Sequence, residues 1–398
     1  MNNYQNALEL HEKWRGKLEV TLKAPIESME DLSLAYSPGV AGPCIEISQE
    51  EELIYNYTMK GNTVAVISNG TAVLGLGNIG PAASLPVMEG KSALFKRFAN
   101  IDSIPLCLST TDVEDFIQTV KNVSTSFGGI NLEDIAAPAC FIIEERLKQE
   151  LDIPVFHDDQ HGTAIVVAAA LLNASKLVQK EIEHMKIVIN GAGAAGIAIA
   201  KLLHSFKAKN IIVCDTVGAI YKERTERMNS VKVKLAQFTN NTSEKGNLSD
   251  VIQHADVFIG VSVAGALTTE MIATMKEQPI VFALANPIPE MMPEEAKAAG
   301  VRIIGTGRSD YPNQINNILA FPGIFRGALD VRASRINEDM KQAAAIAIAA
   351  LVGEEELSED YVVPNPFDSR VVESVSQAVA QAALASGVAK ERKQAILS

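Results

Sequence analysis

Residues 185–215 constrain the fold more than any other stretch. Met185–Asn190 (M-K-I-V-I-N) reads as a strand, G-A-G-A-A-G follows, Ile197–Phe206 has a helical pattern, and Asn210–Cys214 is a second strand ended by Asp215. Strand, glycine turn, helix, strand and acid in this order make a dinucleotide-binding βαβ unit. Gly191, Gly193 and Gly196, with the small Ala194 and Ala195 between them, permit a tight turn and close backbone approach to a pyrophosphate. The following helix N-terminus attracts the phosphates. Asp215 is placed to accept from the adenine-ribose hydroxyls. Further apolar runs at Asp256–Ser262, Ile280–Leu284 and Val301–Gly305 predict more strands of one parallel sheet. The fold class is therefore α/β with a Rossmann-type second half, and the chain from about residue 330 onward reads as helical. Asn286 and Asn316-Asn317 stand where strands end. Neutral amides there suit a carboxylate ligand, and equally an Asx turn before Pro287.

The first half carries acids and a lysine. Thr63–Ser68 reads as a strand, with Asn69-Gly70 as a hairpin turn and Ala72–Leu74 as the return strand. G-L-G-N-I-G (residues 75–80) also fits the glycine pattern. It follows that predicted hairpin, however, meets Pro81 and Pro86, and has no acid ending a later strand, so it is set aside as a dinucleotide site. In the helix Val87–Ala99, residues Val87, Lys91, Leu94, Phe95 and Phe98 share one face. Burial disfavours an ammonium, which turns such a lysine into a usable base; a snorkelling side chain or an ion pair is the plain alternative. Glu133-Asp134 and Asp158-Asp159 each follow a strand and precede a helix. If the two strands are neighbours, three of these carboxylates form a site for Mg²⁺ or Mn²⁺. The alternative is that Asp158 and Asp159 merely cap the next helix. Tyr36 opens the stiff loop L-A-Y-S-P-G-V-A-G-P-C, with Leu8, Trp14 and Leu18 as expected apolar anchors before it. His157 and His161 read as structural.

Composition limits the partners. A net charge of −13 argues against nucleic acid and anionic membranes. The longest apolar runs, Ala164–Leu172 and Ala343–Val352, fall short of the roughly 20 residues of a membrane helix. Four scattered cysteines and a polar N-terminus predict a cytoplasmic protein without disulfides.

Taken together, A-Y-S-P-G-V-A-G-P-C, V-M-E-G-K, N-L-E-D-I-A-A-P, F-H-D-D-Q-H-G-T-A, N-G-A-G-A-A-G, F-A-L-A-N-P and N-N-I-L-A-F-P-G-I resemble the malic enzyme family in its short bacterial form, over nearly the whole chain. The resemblance implies oxidative decarboxylation of L-malate to pyruvate and CO2 with NAD or NADP and a divalent cation, in a homodimer. It implies Glu133, Asp134 and Asp159 as metal ligands with Asp158 beside them, Lys91 as the base on the C2 hydroxyl, and Tyr36 as the acid on C3. Asn286 and Asn317 would hold a malate carboxylate, Asn286 also bordering the cofactor. Residues 1–160 would form the substrate and metal domain and 161–398 the dinucleotide domain.

There are departures. Longer members have a substrate arginine after the S-N-G-like turn, where this chain reads T-A-V-L-G-L-G. Arg308 or Lys91 could stand in for it. Thr216-Val217 follow Asp215 where NADP-using relatives often carry a lysine, so NAD is the expected preference. A metal-dependent oxaloacetate decarboxylase on the same fold is the alternative activity. A regulatory protein that only binds nucleotide is disfavoured by the intact set Tyr36, Lys91, Glu133, Asp134 and Asp159.

Overall fold

The protein is described here from a computed structural model covering residues 3–390. A first sheet contains β1 (Thr63–Ser68), β2 (Asp102–Cys107), β3 (Gly129–Leu132) and β4 (Val155–His157) in the order β2-β1-β3-β4, all parallel. A second contains β5 (Lys186–Asn190), β6 (Asn210–Asp215), β7 (Gly218–Ala219), β8 (Val257–Gly260), β9 (Ile280–Ala283) and β10 (Ile303–Thr306). Its order is β10-β9-β8-β5-β6-β7, and only the β6–β7 pair is antiparallel. In each sheet the strand order reverses at an inner strand, β1 in one and β5 in the other. Ligands of such sheets bind outside the carboxyl ends of the strands at that reversal.

The expected hairpin at Asn69-Gly70 does not form. Every residue of β1 is buried, and β1 pairs with β2 and β3 in parallel. A Thr-Val-Ala-Val-Ile-Ser run without alternation is what a strand covered on both faces requires. The turn instead leads the chain into a loop, where the Ala72 N–H donates to Asp134 O at 3.0 Å. The next helix, Pro81–Ala99, is the crossover from β1 to β2, so this segment does open a βαβ unit. Pro81 starts that helix, where a missing N–H costs nothing. Its buried face is Ser84, Met88, Lys91, Ser92, Phe95 and Ala99. Lys91 and Phe95 are on the expected stripe, and the stripe's centre is one residue further along.

The two halves share a core. The helix Phe321–Asp330, late in the chain, lies on the first sheet's layer. Phe95 meets the Phe321 and Phe325 rings at 4.7 and 5.2 Å, and Phe156 meets Phe325 at 5.9 Å, all near edge-to-face. The long helix Asp158–Leu177 leaves β4 and packs on the helix Ala194–Ser205 of the second half and on Glu338–Ala350. Among the described residues no helix is long and apolar enough to cross a membrane.

The N-terminal segment behaves differently. Leu8, Trp14 and Leu18, expected as anchors, are exposed. The helices Met29–Ala35 and Ala41–Gln49 have no buried residue.

Phe325 is fully buried at the junction of three rings. Phe325→Ala should cost about 3–5 kcal/mol of stability, read from denaturant midpoints at constant m-value. A loss under about 1 kcal/mol, the scale of one buried methylene, would show that the shared core does not hold the halves together.

Candidate active site

The acid pairs converge because β3 and β4 are paired neighbours. Leu132 lies opposite His157, so Glu133 and Asp158 leave adjacent strand ends. Asp134 has φ +53°, and its N–H donates to Asp159 Oδ2 at 2.8 Å. Glu133, Asp134 and Asp159 offer carboxylate oxygens that all lie within 4.8 Å of one another. Asn131, inside β3, donates Nδ2–H to Glu133 Oε2 at 2.8 Å. Asp158 is not a cap: His157 occupies the cap position of the next helix. The Asp158 side chain turns to Lys91, and Asn317 hydrogen-bonds it from the far half of the chain. Gly162, one turn on, makes room for it, because a Cβ there would stand 1.9 Å from Asp158 Oδ1.

Lys91 sits in the middle of the acids. Its Nζ lies 2.6 Å from Asp158 Oδ2, 3.0 Å from Glu133 Oε1 and 4.4 Å from the centre of the Phe321 ring. Burial alone would lower this ammonium, but the carboxylates of Asp158 and Glu133 outweigh burial and hold it above its usual value. The depressed lysine expected from burial is therefore not what this arrangement produces. The acids respond in turn. Burial, opposed by Lys91 and reinforced by Glu133, pushes Asp158 up to about 7. Burial, opposed by Lys91 and reinforced by Asp158, pushes Asp159 up to about 6. Glu133 is raised too, by burial first.

The crowded carboxylates of Glu133, Asp134 and Asp159 fit a hard divalent cation. Oxygen-only donors select Mg²⁺ or Mn²⁺ over softer metals. The histidines stay out of this set. His161 Nε2 lies 2.8 Å from Glu144 Oε1, and burial drives its pKa down to about 3 despite that carboxylate. Glu144 also accepts from the His157 N–H at 3.2 Å. It thereby braces the turn that carries Asp158 and Asp159. Glu144 lacked any sequence signal beyond a helical position.

The loop after β1 connects these acids to Asn286. Ala72 bonds Asp134, and Gly75 packs under the Asn286 carbonyl, where a Cβ would lie 2.3 Å from that oxygen. Asn286 precedes a cis bond to Pro287. Its neighbourhood is pinned by Glu290, fully buried and accepting from the N–H groups of Ser262 (2.8 Å) and Ala285 (3.0 Å). Arg308 is bidentate to Asp310, at 2.9 and 2.6 Å.

The dinucleotide unit forms at the reversal in the second sheet. Gly191 has φ +126° and lies against the Val261 carbonyl, and a Cβ on Gly196 would stand 1.8 Å from Gly191 O. Gly193 faces open space at the start of the helix that begins with Ala194 and Ala195. Asp215 ends β6 as expected, but it is not alone. Arg224 Nη2 and Lys232 Nζ donate to its Oδ2 at 2.5 and 2.6 Å, and the Val217 N–H donates to Oδ1 at 2.9 Å. The lysine absent just after Asp215 therefore does not leave this acid without a cation, because Arg224 and Lys232 reach it from later in the chain. Tyr36 is 68% exposed, whereas Glu133, Asp134 and Asp158 are buried.

Known proteins match along the whole chain. The family described as "Malic enzyme, N-terminal domain" matches residues 15–148, and "Malic enzyme, NAD binding domain" matches residues 160–388. The bifunctional malic/malolactic enzyme of Bacillus subtilis is 61% identical over 98% of this chain and 95% of its own length. The NAD-dependent malic enzyme of Geobacillus stearothermophilus is 58% identical over 94% of this chain and 78% of its own. The crystal structure of the malic enzyme from Pyrococcus horikoshii superposes with a TM-score of 0.94 at 48% identity, covering 98% of this chain and 93% of that one. This chain belongs to the malic enzyme family.

Proposed function

We propose that the chain oxidises L-malate at C2 with NAD, and NADP less well, and releases CO2 and pyruvate. The observation that carries this reading is the buried Lys91, bonded to Asp158 and Glu133 beside the Glu133, Asp134 and Asp159 oxygens. Those three carboxylates would hold Mg²⁺ or Mn²⁺, and the cation would supply Lewis-acid stabilisation of the negative charge that develops on oxygen during the reaction.

The chain's own groups move the protons. Lys91 Nζ takes the C2 hydroxyl proton as hydride leaves C2. Its ammonium is upheld by the charges of Asp158 and Glu133; once those charges are engaged elsewhere, burial dominates and Lys91 gives up its proton. Asp158, at 2.6 Å and near neutrality in its titration, accepts that proton. Tyr36 donates to C3 of the enolate. Asn317, on Asp158, and Asn286, across the loop, receive a malate carboxylate. Asp215 accepts from the adenine ribose. Arg224 and Lys232 offset its charge, so its discrimination against a 2′-phosphate is modest. All four cysteines are free, as in a cytoplasmic protein.

Lys91→Ala should lower kcat for malate oxidation by about 10²–10⁴-fold while Mn²⁺ binding persists; unchanged kcat would remove Lys91 from the chemistry. Asp159→Asn should weaken Mn²⁺ binding, read by EPR of the free ion, by more than about 10-fold, a loss seen even for groups that only orient ligands. Equal Mn²⁺ affinity would exclude Asp159 as a ligand. For cofactor choice, kcat/KM should favour NAD by about 10-fold, ~1.4 kcal/mol. Lys232→Ala should widen that ratio by exposing the Asp215 charge. A ratio favouring NADP would reverse the assignment.

A further inference from the structure

Glu290 is a fully buried carboxylate that the chemistry described so far does not use. Its Oε1 accepts from the Ser262 N–H at 2.8 Å and from the Ser262 hydroxyl at 3.3 Å, and its Oε2 accepts from the Ala285 N–H at 3.0 Å. The Ser262 Oγ accepts in turn from Asn190 Nδ2 at 2.8 Å, which leaves its own proton for Glu290. All of these donors are neutral, and among the described residues no cation pairs with Glu290. A buried charge is ordinarily matched by an opposite one, because leaving water is costly. Neutral hydrogen bonds satisfy the oxygens but leave the net charge in place.

The charge has a defined address. Asn190, Ser262 and Ala285 stand at or just past the carboxyl ends of β5, β8 and β9, three neighbouring strands of the second sheet. Gly260 makes room for the acid, since a Cβ there would lie 2.3 Å from Glu290 Cδ. The Glu290 carbonyl accepts from the Leu267 N–H at 3.2 Å, so side chain and backbone together hold the turn after β8. A dinucleotide crosses such a sheet where the strand order reverses. Asp215 on β6 marks the adenine end and residues 191–196 the pyrophosphate, so the nicotinamide end falls beyond β5, at β8 and β9. The catalytic half agrees, because the loop through Gly75 reaches this same side at Asn286. We propose that Glu290 is a positioning residue whose uncompensated charge favours the oxidised nicotinamide, a ring cation, over the neutral reduced ring. The inference rests on the reading of the second sheet as the NAD site. Opposite charges attract more strongly where water is excluded. Glu290 thus holds the turns after β8 and β9 for the cofactor, favours capture of NAD and eases release of NADH.

Binding of the two cofactor forms tests this without turnover. NADH affinity is read from its fluorescence on titration into the full chain with Mg²⁺ and no malate, and NAD affinity from displacement of that NADH. Glu290→Gln should weaken NAD binding by about 10-fold more than NADH binding, the scale of one charge acting between water and dry protein. Glu290→Asp keeps the charge and shortens the reach, so it should weaken both forms in step and keep the wild-type ratio. Equal weakening of both forms by Glu290→Gln overturns the proposal, because the acid then only shapes the turns. A ratio altered as much by Glu290→Asp as by Glu290→Gln overturns it too. If Glu290→Gln does not fold by circular dichroism, the wild type decides: it should bind NAD at least as tightly as NADH, and tighter NADH binding overturns the proposal. A wild-type chain that binds neither form sinks the NAD reading itself, an outcome distinct from equal weakening.

Discussion

The buried contact between Lys91 and the carboxylates of Asp158 and Glu133 is the constraint on which the site depends. An ammonium and two carboxylates are costly to remove from water, and they stay only where each charge is matched. Helix Pro81–Ala99 brings the cation, and the ends of β3 and β4 bring the anions. Parallel pairing of β3 with β4 therefore decides the electrostatics as much as the shape. Gly162 keeps the channel for Asp158 open, and Asn131, Asn317 and Glu144 fix the surrounding groups.

The same contact shapes the titration of its acids. Asp158 titrates near neutrality because burial and Glu133 oppose its ionisation, with Lys91 only partly compensating. A carboxyl in that range can both accept from Lys91 and release outward. The surplus negative charge nearby, in Glu133, Asp134 and Asp159, is what makes a divalent cation fit. The lysine's basicity and the cation's seat are thus two aspects of one charge balance.

The dinucleotide half meets the catalytic half through packing. Phe321 and Phe325 stack on Phe95, one turn beyond Lys91. The loop carrying Gly75 touches Asn286 from the second sheet. Lys91 and Asn286 therefore stand on elements whose relative position is fixed by a common core. An arm that leaves that core, with Tyr36 at its turn, is the exception.

Much of this was legible in the sequence. The period of the helix Pro81–Ala99 placed Lys91 on a buried face. The spacing of strand, glycines and acid identified the β5–β6 unit. Two strand-then-acid-pair units predicted that Glu133, Asp134, Asp158 and Asp159 would converge, and the family resemblance singled out Glu133, Asp134 and Asp159 among them. These are local signals, set by residues a few positions apart along one element. Tertiary structure decided the rest. Asn69-Gly70 has the chemistry of a hairpin, but β1 is sandwiched between β2 and β3, so its backbone was already committed to parallel partners. Asp215 looked bare because Arg224 and Lys232 reach it from later in the chain. Lys91 looked like a depressed amine because burial is readable from periodicity, whereas the two carboxylates that raise it arrive from other strands. The exposure of Leu8, Trp14 and Tyr36 was equally hidden: apolar patterning says that a face must be covered, and only the assembled chain shows that its own body does not cover it.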